Sequence, residues 1–177
     1  LDQHLSMQER ARGLMIRRLL EEELYFIIVY SRWEDPEVWP AFSKRVFSGV
    51  PFVIRNLIKS KGSKSVRNTI KAQGISRHSA DEIYAKAVRD LECLAVTLGS
   101  KTYMHGEVPT LTDAALYGHL ANIYYQPDEG QLQRDFARFE NLVSYTTRLK
   151  AEYFPESALG GGDEVGYRPQ ATPDISR

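Results

Sequence analysis

Few side chains in this sequence could do chemistry, and most of them are set in ordinary contexts. Cys93 is the single cysteine. A reactive thiol needs an electropositive, partly exposed setting. Cys93 falls mid-helix on the flank of an apolar face, which reads as packing. His4, His78, His105 and His119 show no metal-ligand spacing with one another or with carboxylates, so no metal site is assigned. No nucleophile elbow, phosphate loop or dinucleotide fingerprint occurs. Glu21, Glu22 and Glu23 are adjacent carboxylates on a helix, which reads as a solvated face. No catalytic residue is therefore assigned. Arg77 and His78, just before Ser79, could place an anion at a helix start or form a plain turn. The richest cluster is Tyr25, Tyr30, Arg32 and Trp33. Amphipathic aromatics with one guanidinium suit an apolar pocket with a few polar groups. They equally suit core packing with an arginine that offsets a helix dipole.

Composition narrows the setting. The 177 residues are 42% hydrophobic and 26% charged, with a formal net charge of +0, as in an ordinary globular domain. One cysteine excludes an internal disulfide framework and fits a reducing, cytoplasmic location. The longest apolar run, 24–30, falls far short of the ~20 residues a membrane-spanning helix needs. The start carries no apolar signal segment and begins with Leu, so the chain reads as an excised or processed piece. The neutral total hides an asymmetry. Residues 38–80 hold Lys44, Arg45, Arg55, Lys59, Lys61, Lys64, Arg67, Lys71 and Arg77 but no Asp or Glu. This is either a solvated helical face or a surface for anionic partners.

The elements follow from caps and periodicity. Ser6 to Glu9 is a capping-box pattern that opens a long helix ending near Trp33, striped by Ile16, Leu20, Leu24, Ile27 and Ile28. From 24 to 30 it is apolar all round, so it must touch several neighbours. Residues 38–51 read as irregular, broken by Pro40, Gly49 and Pro51. Two short helices are expected at 52–60 and 63–73, closed by Gly74. Ser79 to Glu82 is a second capping box, opening the clean apolar stripe Ala80, Tyr84, Ala87, Leu91, Leu94 and Leu98 before Gly99. Residues 103–106 read as a turn or a short extended piece. Thr110 and Asp113 make a third box, with Val108 as a staple, for a helix that should be central. A last helix runs from about Asn141 to Tyr153. Residues 156–177 read as a flexible tail.

The stretch Gly106-Glu107-Val108-Pro109-Thr110, continuing through Asp113-Ala114 to Leu116-Tyr117-Gly118-His119-Leu120, resembles the core helix of the glutathione S-transferase C-terminal domain. Three further segments are similar to the failed-axon-connections and metaxin-like branch of that superfamily. They are Glu21 to Tyr25 with Val29 to Trp33, Gly74 to Ser79 with Glu82 to Tyr84, and Asn141 to Tyr145. The resemblance covers roughly residues 5–155. It implies an all-α, glutathione S-transferase C-terminal-domain-like bundle of six to seven helices over 1–155. It also implies an N-terminal thioredoxin-like domain, expected upstream and absent from this sequence.

The function so implied is the hydrophobic acceptor-substrate side of a thiol-transfer site, with Tyr25, Arg32 and Trp33 as substrate-binding residues. Glutathione would be a co-substrate bound mainly by the missing domain, and the acceptor a small electrophilic or apolar molecule. Whether the whole protein is a transferase stays open, and this chain alone is not expected to be one. A homodimer is possible; nucleic acid, metal and a transmembrane segment are not expected. The alternative is a non-enzymatic, metaxin-type module that holds a protein or an anionic surface.

Overall fold

Three helix starts are built by the same local bonding. Ser6 and Glu9 close the first capping box, with the Ser6 N–H donating to Glu9 Oε2 at 2.8 Å. Ser79 and Glu82 repeat it at the same distance, and Thr110 and Asp113 form the third. Each satisfies donors that a helix start otherwise leaves without partners. The computed structural model describes residues 1–155, and the expected flexible tail at 156–177 lies outside the described residues.

The first rod comprises α1 (Met7–Arg18), a widened π-helical turn (Leu19–Leu24) and α2 (Tyr25–Trp33). The widening has a cause in the sequence. Ile16, Leu20, Leu24 and Ile28 are spaced by four, and each such step overshoots a 3.6-residue turn by about 40°. A turn closed by i→i+5 bonds holds more residues and keeps all four on the core side. All four are buried.

After the rod come α3 (Trp39–Val46), α4 (Phe52–Gln73), α5 (Ala80–Leu98), α6 (Leu111–Tyr124), α7 (Gln131–Phe136) and α8 (Glu140–Tyr153). Counting the rod once, the described residues form seven helices and no strand. Among the described residues the only extended pairing is an isolated bridge between Tyr103 and Gly106. This is the all-α bundle that the sequence predicts. Its hub is α2, which touches α3, α4, α5, α6 and α7. The all-round apolar stretch is thereby explained within the domain, with Leu24, Ile27 and Ile28 buried and only Tyr25 largely exposed.

Three expectations change. Residues 38–51 contain a helix, because Pro40 sits in the first turn of α3, where no backbone N–H is needed. Residues 52–73 form one helix and not two. Gly62 continues it, and a Cβ there would meet the Phe47 ring at an ordinary 3.6 Å. The real stop is Gly74, left-handed at φ 116°. The proposed staple Val108 is 54% exposed. α7, which has no cap signal, is held by burial of Leu132 and Phe136.

The Asp113 carboxylate, 1% exposed, joins elements as well as capping one. Its Oδ2 accepts from the Thr110 N–H at 2.9 Å and the Thr110 hydroxyl at 2.7 Å. Its Oδ1 accepts from the Met104 N–H at 2.7 Å and the Tyr145 hydroxyl of α8 at 2.9 Å. Burial, then the negative charge of Asp113, pushes the Tyr145 hydroxyl pKa far up, so it stays a donor.

Asp113→Ala should cost more than a simple cap, since it strands several buried donors at about 1–3 kcal/mol each. We expect on the order of 3 kcal/mol and a fall in melting temperature of about 10 °C. An unchanged melt would remove Asp113 as the organiser. Gly13→Ala should also destabilise, although alanine is the better helix former. The new Cβ would lie 2.6 Å from the buried Thr112 Oγ1 where α1 crosses α6. A loss of about 1–2 kcal/mol in denaturant unfolding is expected.

Candidate functional site

The residues singled out at the end of the first rod divide between two neighbourhoods. Tyr25 and Arg32 are seven apart, two turns of helix, and share the face turned toward α6. The Tyr25 ring lies edge-on to His119, 6.5 Å between centroids, and remains 48% exposed. Arg32 is a tether. Its Nε donates to Gln126 Oε1 at 2.6 Å, and its Nη2 donates to the Asn122 carbonyl at 2.7 Å and to Asn122 Oδ1 at 3.1 Å. Burial, and next the nearby Arg45, lowers its pKa from the ordinary value.

Trp33 turns away from both. Its ring packs at 5.4 Å on Trp39 and on Phe42, and at 6.5 Å on Phe47. Lys59 and Arg67 of α4 lie over Trp39 at 5.2 and 5.9 Å. This cluster braces α3 and α4 against the end of α2. The structure thus places Tyr25 and Arg32 against α6 and turns Trp33 toward α3.

The α6 side of that contact was not singled out from the sequence. His119, Asn122 and Gln126 follow one another at i, i+3 and i+7, and that spacing was the available signal. α6 is apolar on opposite sides. Leu116, Leu120 and Ile123 are in the core, while Leu111, Ala114 and Gly118 are exposed. The helix expected to be central is therefore buried on one face only. On its far flank Tyr117 stacks on Phe154, with centroids 5.2 Å apart, and Lys150 lies 3.9 Å from the Tyr125 ring centre.

The other candidates resolve simply. Cys93 is exposed, a correction to its reading as a packing residue: it sits at the rim of a cleft of about 200 Å³ between α1 and α5, beside Arg12, Met15 and Leu19. Its position flanks the apolar stripe, but no neighbouring helix covers that flank. The α5 start offers no free anion site, because Glu82 already accepts from the Ser79 N–H, and His78 lies 3.9 Å from the same carboxylate. Arg77 ends a short 3-10 helix, Ile75–Arg77, and His78 follows it. Glu22 pairs with Arg18 at 3.0 Å and Glu23 with Lys86 at 2.7 Å. Among the described residues no group of His, Cys, Asp and Glu is placed to hold a metal.

Asp90 on α5 faces Glu23, Lys86 and Arg89. Burial, and next the charge of Glu23, raises its pKa from 3.8 to about 6. A raised carboxyl pKa favours the fold at low pH, and that contribution is lost as pH rises from about 4 through about 6. Asp90→Asn should therefore raise the melting temperature at pH 7 and leave it unchanged below pH 4. The gain, discounted for partial exposure, is about 1 kcal/mol. Melts across this pH range check it.

Residues 87–149 match the family described as glutathione S-transferase, C-terminal domain. The chain is 29% identical over 156 residues to the isoprene-epoxide glutathione S-transferase of Rhodococcus sp. (strain AD45), covering 86% of this chain and 65% of that protein. It is 26% identical over 181 residues to metaxin-1 of Mus musculus, covering 97% and 55%. It is 28% identical over 168 residues to failed axon connections of Drosophila melanogaster, covering 88% and 40%. The chain thus spans from two-fifths to just under two-thirds of the length of these relatives. No solved structure matches it. No helix among the described residues is long and apolar enough to cross a membrane.

Proposed function

We propose, from the premise that this is a helical domain of the glutathione S-transferase C-terminal type in its failed-axon-connections and metaxin-like branch, that it supplies the hydrophobic acceptor side of a thiol-transfer site. The observation that carries this reading is the double-sided α6. A helix that buries Leu116, Leu120 and Ile123 and also exposes Leu111, Ala114 and Gly118 leaves an apolar strip for a second body. The small residues allow close approach. A thioredoxin-like N-terminal domain is the body that this family pairs with such a bundle.

Tyr25 lies at the margin of that strip and presents a ring face and a hydroxyl to whatever occupies the groove between the two bodies. Arg32 holds the wall by tying α2 to the end of α6, and Trp33 keeps the end of α2 rigid through its aromatic contacts. Glutathione, held mainly by the thioredoxin-like domain, supplies the thiol; this chain positions a small electrophilic or apolar acceptor and keeps water from its reacting face. The relative that is itself named a glutathione S-transferase favours an enzymatic role over a purely interacting one.

Isothermal titration of glutathione into the 177-residue chain should show no micromolar binding; clear binding would place the thiol site here and overturn the assignment. In the protein joined to its thioredoxin-like domain, Tyr25→Ala should raise KM for the acceptor about tenfold with KM for glutathione unchanged. Arg32→Ala should instead lower the melting temperature. Equal acceptor kinetics for Tyr25→Ala would remove the groove from the site.

A further inference from the structure

The apolar side chains in the first two turns of α4 are left largely bare by the rest of the fold. Phe52 is 83% exposed, Val53 91%, Leu57 57%, Ile54 43% and Ile58 39%, and no residue from 51 to 61 is buried. Single exposed apolar residues are ordinary, but five within seven positions are not. The helix is fixed farther along. Gln73 Nε2 donates to the Glu22 carbonyl, Arg67 lies 3.4 Å from Glu34, and Lys59 covers Trp39. α4 therefore runs antiparallel to α2, and its first two turns extend past Trp33.

We propose that this end of α4 inserts into the headgroup–acyl boundary of an anionic lipid bilayer. At about 100° per residue, Val53, Ile54, Leu57 and Ile58 share an arc of about 140°, Phe52 stands at the helix start, and Arg55, Asn56 and Lys59 take the remaining sector. An amphipathic face of this kind, flanked by an arginine and a lysine, suits a helix lying in the interface plane of a bilayer. Farther along the exposed face stand Lys61, Lys64 and Lys71, three turns or fewer apart. Three of the acids on neighbouring elements have partners of their own, Glu22 with Arg18, Glu23 with Lys86 and Glu82 with Ser79. An apolar tip followed by lysines matches the order of acyl chains and acidic headgroups. The helix start also has no side-chain cap, so its first N–H groups are available to lipid phosphates.

The other occupants fit less well. A second copy on this face would set lysines against lysines, since residues 38–80 carry no acid. The strip assigned to a thioredoxin-like domain lies near the opposite end of the rod, where Asp2 accepts from the Leu111 N–H. From Met7 to Trp33 the rod is about 40 Å long.

Flotation with vesicles of phosphatidylcholine, with and without phosphatidylserine, tests this on the full chain. Binding to the phosphatidylserine vesicles is expected at low salt, weakening as salt shortens the Debye length below about 8 Å. Phe52→Ser with Val53→Asp should reduce it about tenfold, and so should Lys61→Glu with Lys64→Glu. These side chains are exposed, so unchanged melting temperatures are expected for both. Val53→Trp should show a blue-shifted emission only with bound vesicles. Three results would overturn the proposal: no flotation at low salt, flotation indifferent to the tip substitutions, or a tip variant that alters self-association in sedimentation while lipid binding is absent.

Discussion

A buried carboxylate with four donors around it holds the domain together. Asp113 would be costly to enclose alone, since a charge taken out of water needs compensation. Here the compensation comes from three separate parts of the chain: the turn before α6, the α6 start itself and α8 through Tyr145. The same carboxylate thus sets where α6 begins and which way α8 lies across it. Arg148 extends the assembly, with its guanidinium over the Tyr103 and Tyr145 rings and bonded to the Thr102 carbonyl. Tyr103 in turn bonds Glu152 and Tyr153.

With α6 so placed, α2 can be enclosed on nearly every side. A second buried acid works at its other end. Asp35 accepts from the Glu37 N–H at 2.8 Å and from the Tyr84 hydroxyl, linking the end of the rod to α5. Burial, then the bond to Asp35, keeps the Tyr84 hydroxyl protonated. Both acids therefore use a tyrosine of another helix as a neutral donor. The two pairs, Asp113–Tyr145 and Asp35–Tyr84, pin the core where apolar packing alone would leave helices free to slide.

Charge is sorted by the same architecture. Paired ions hold the body: Arg45 with Asp128, Arg134 with Glu37, Lys86 with Glu23. α4 leans on the core beyond its first two turns and carries Lys61, Lys64 and Lys71 exposed. The apolar strip on α6 and the apolar end of α4 are two separate exposed surfaces, and the proposals made for them differ, a folded domain for the first and a lipid surface for the second.

Features whose partners lie within four residues were legible in the sequence. The boxes at Ser6, Ser79 and Thr110, the stops at Gly74 and Gly99 and the stripe from Ala80 to Leu98 all depend on helix geometry that any local segment carries with it. So did the resemblance that rests on them. Features that depend on distant neighbours were not. Pro40 and Gly62 look like breaks until the Phe47 ring and the Trp39 cluster are in place to hold α3 and α4. Cys93 sits beside an apolar stripe, but whether anything covers it depends on where α1 crosses. Trp33 and Arg32 are neighbours in sequence, yet one is drawn to α3 and the other to α6, because successive helical positions point about 100° apart. Hydrogen bonds close in sequence are written into the residues themselves; which face of a helix stays bare is decided only when every other helix has taken its place.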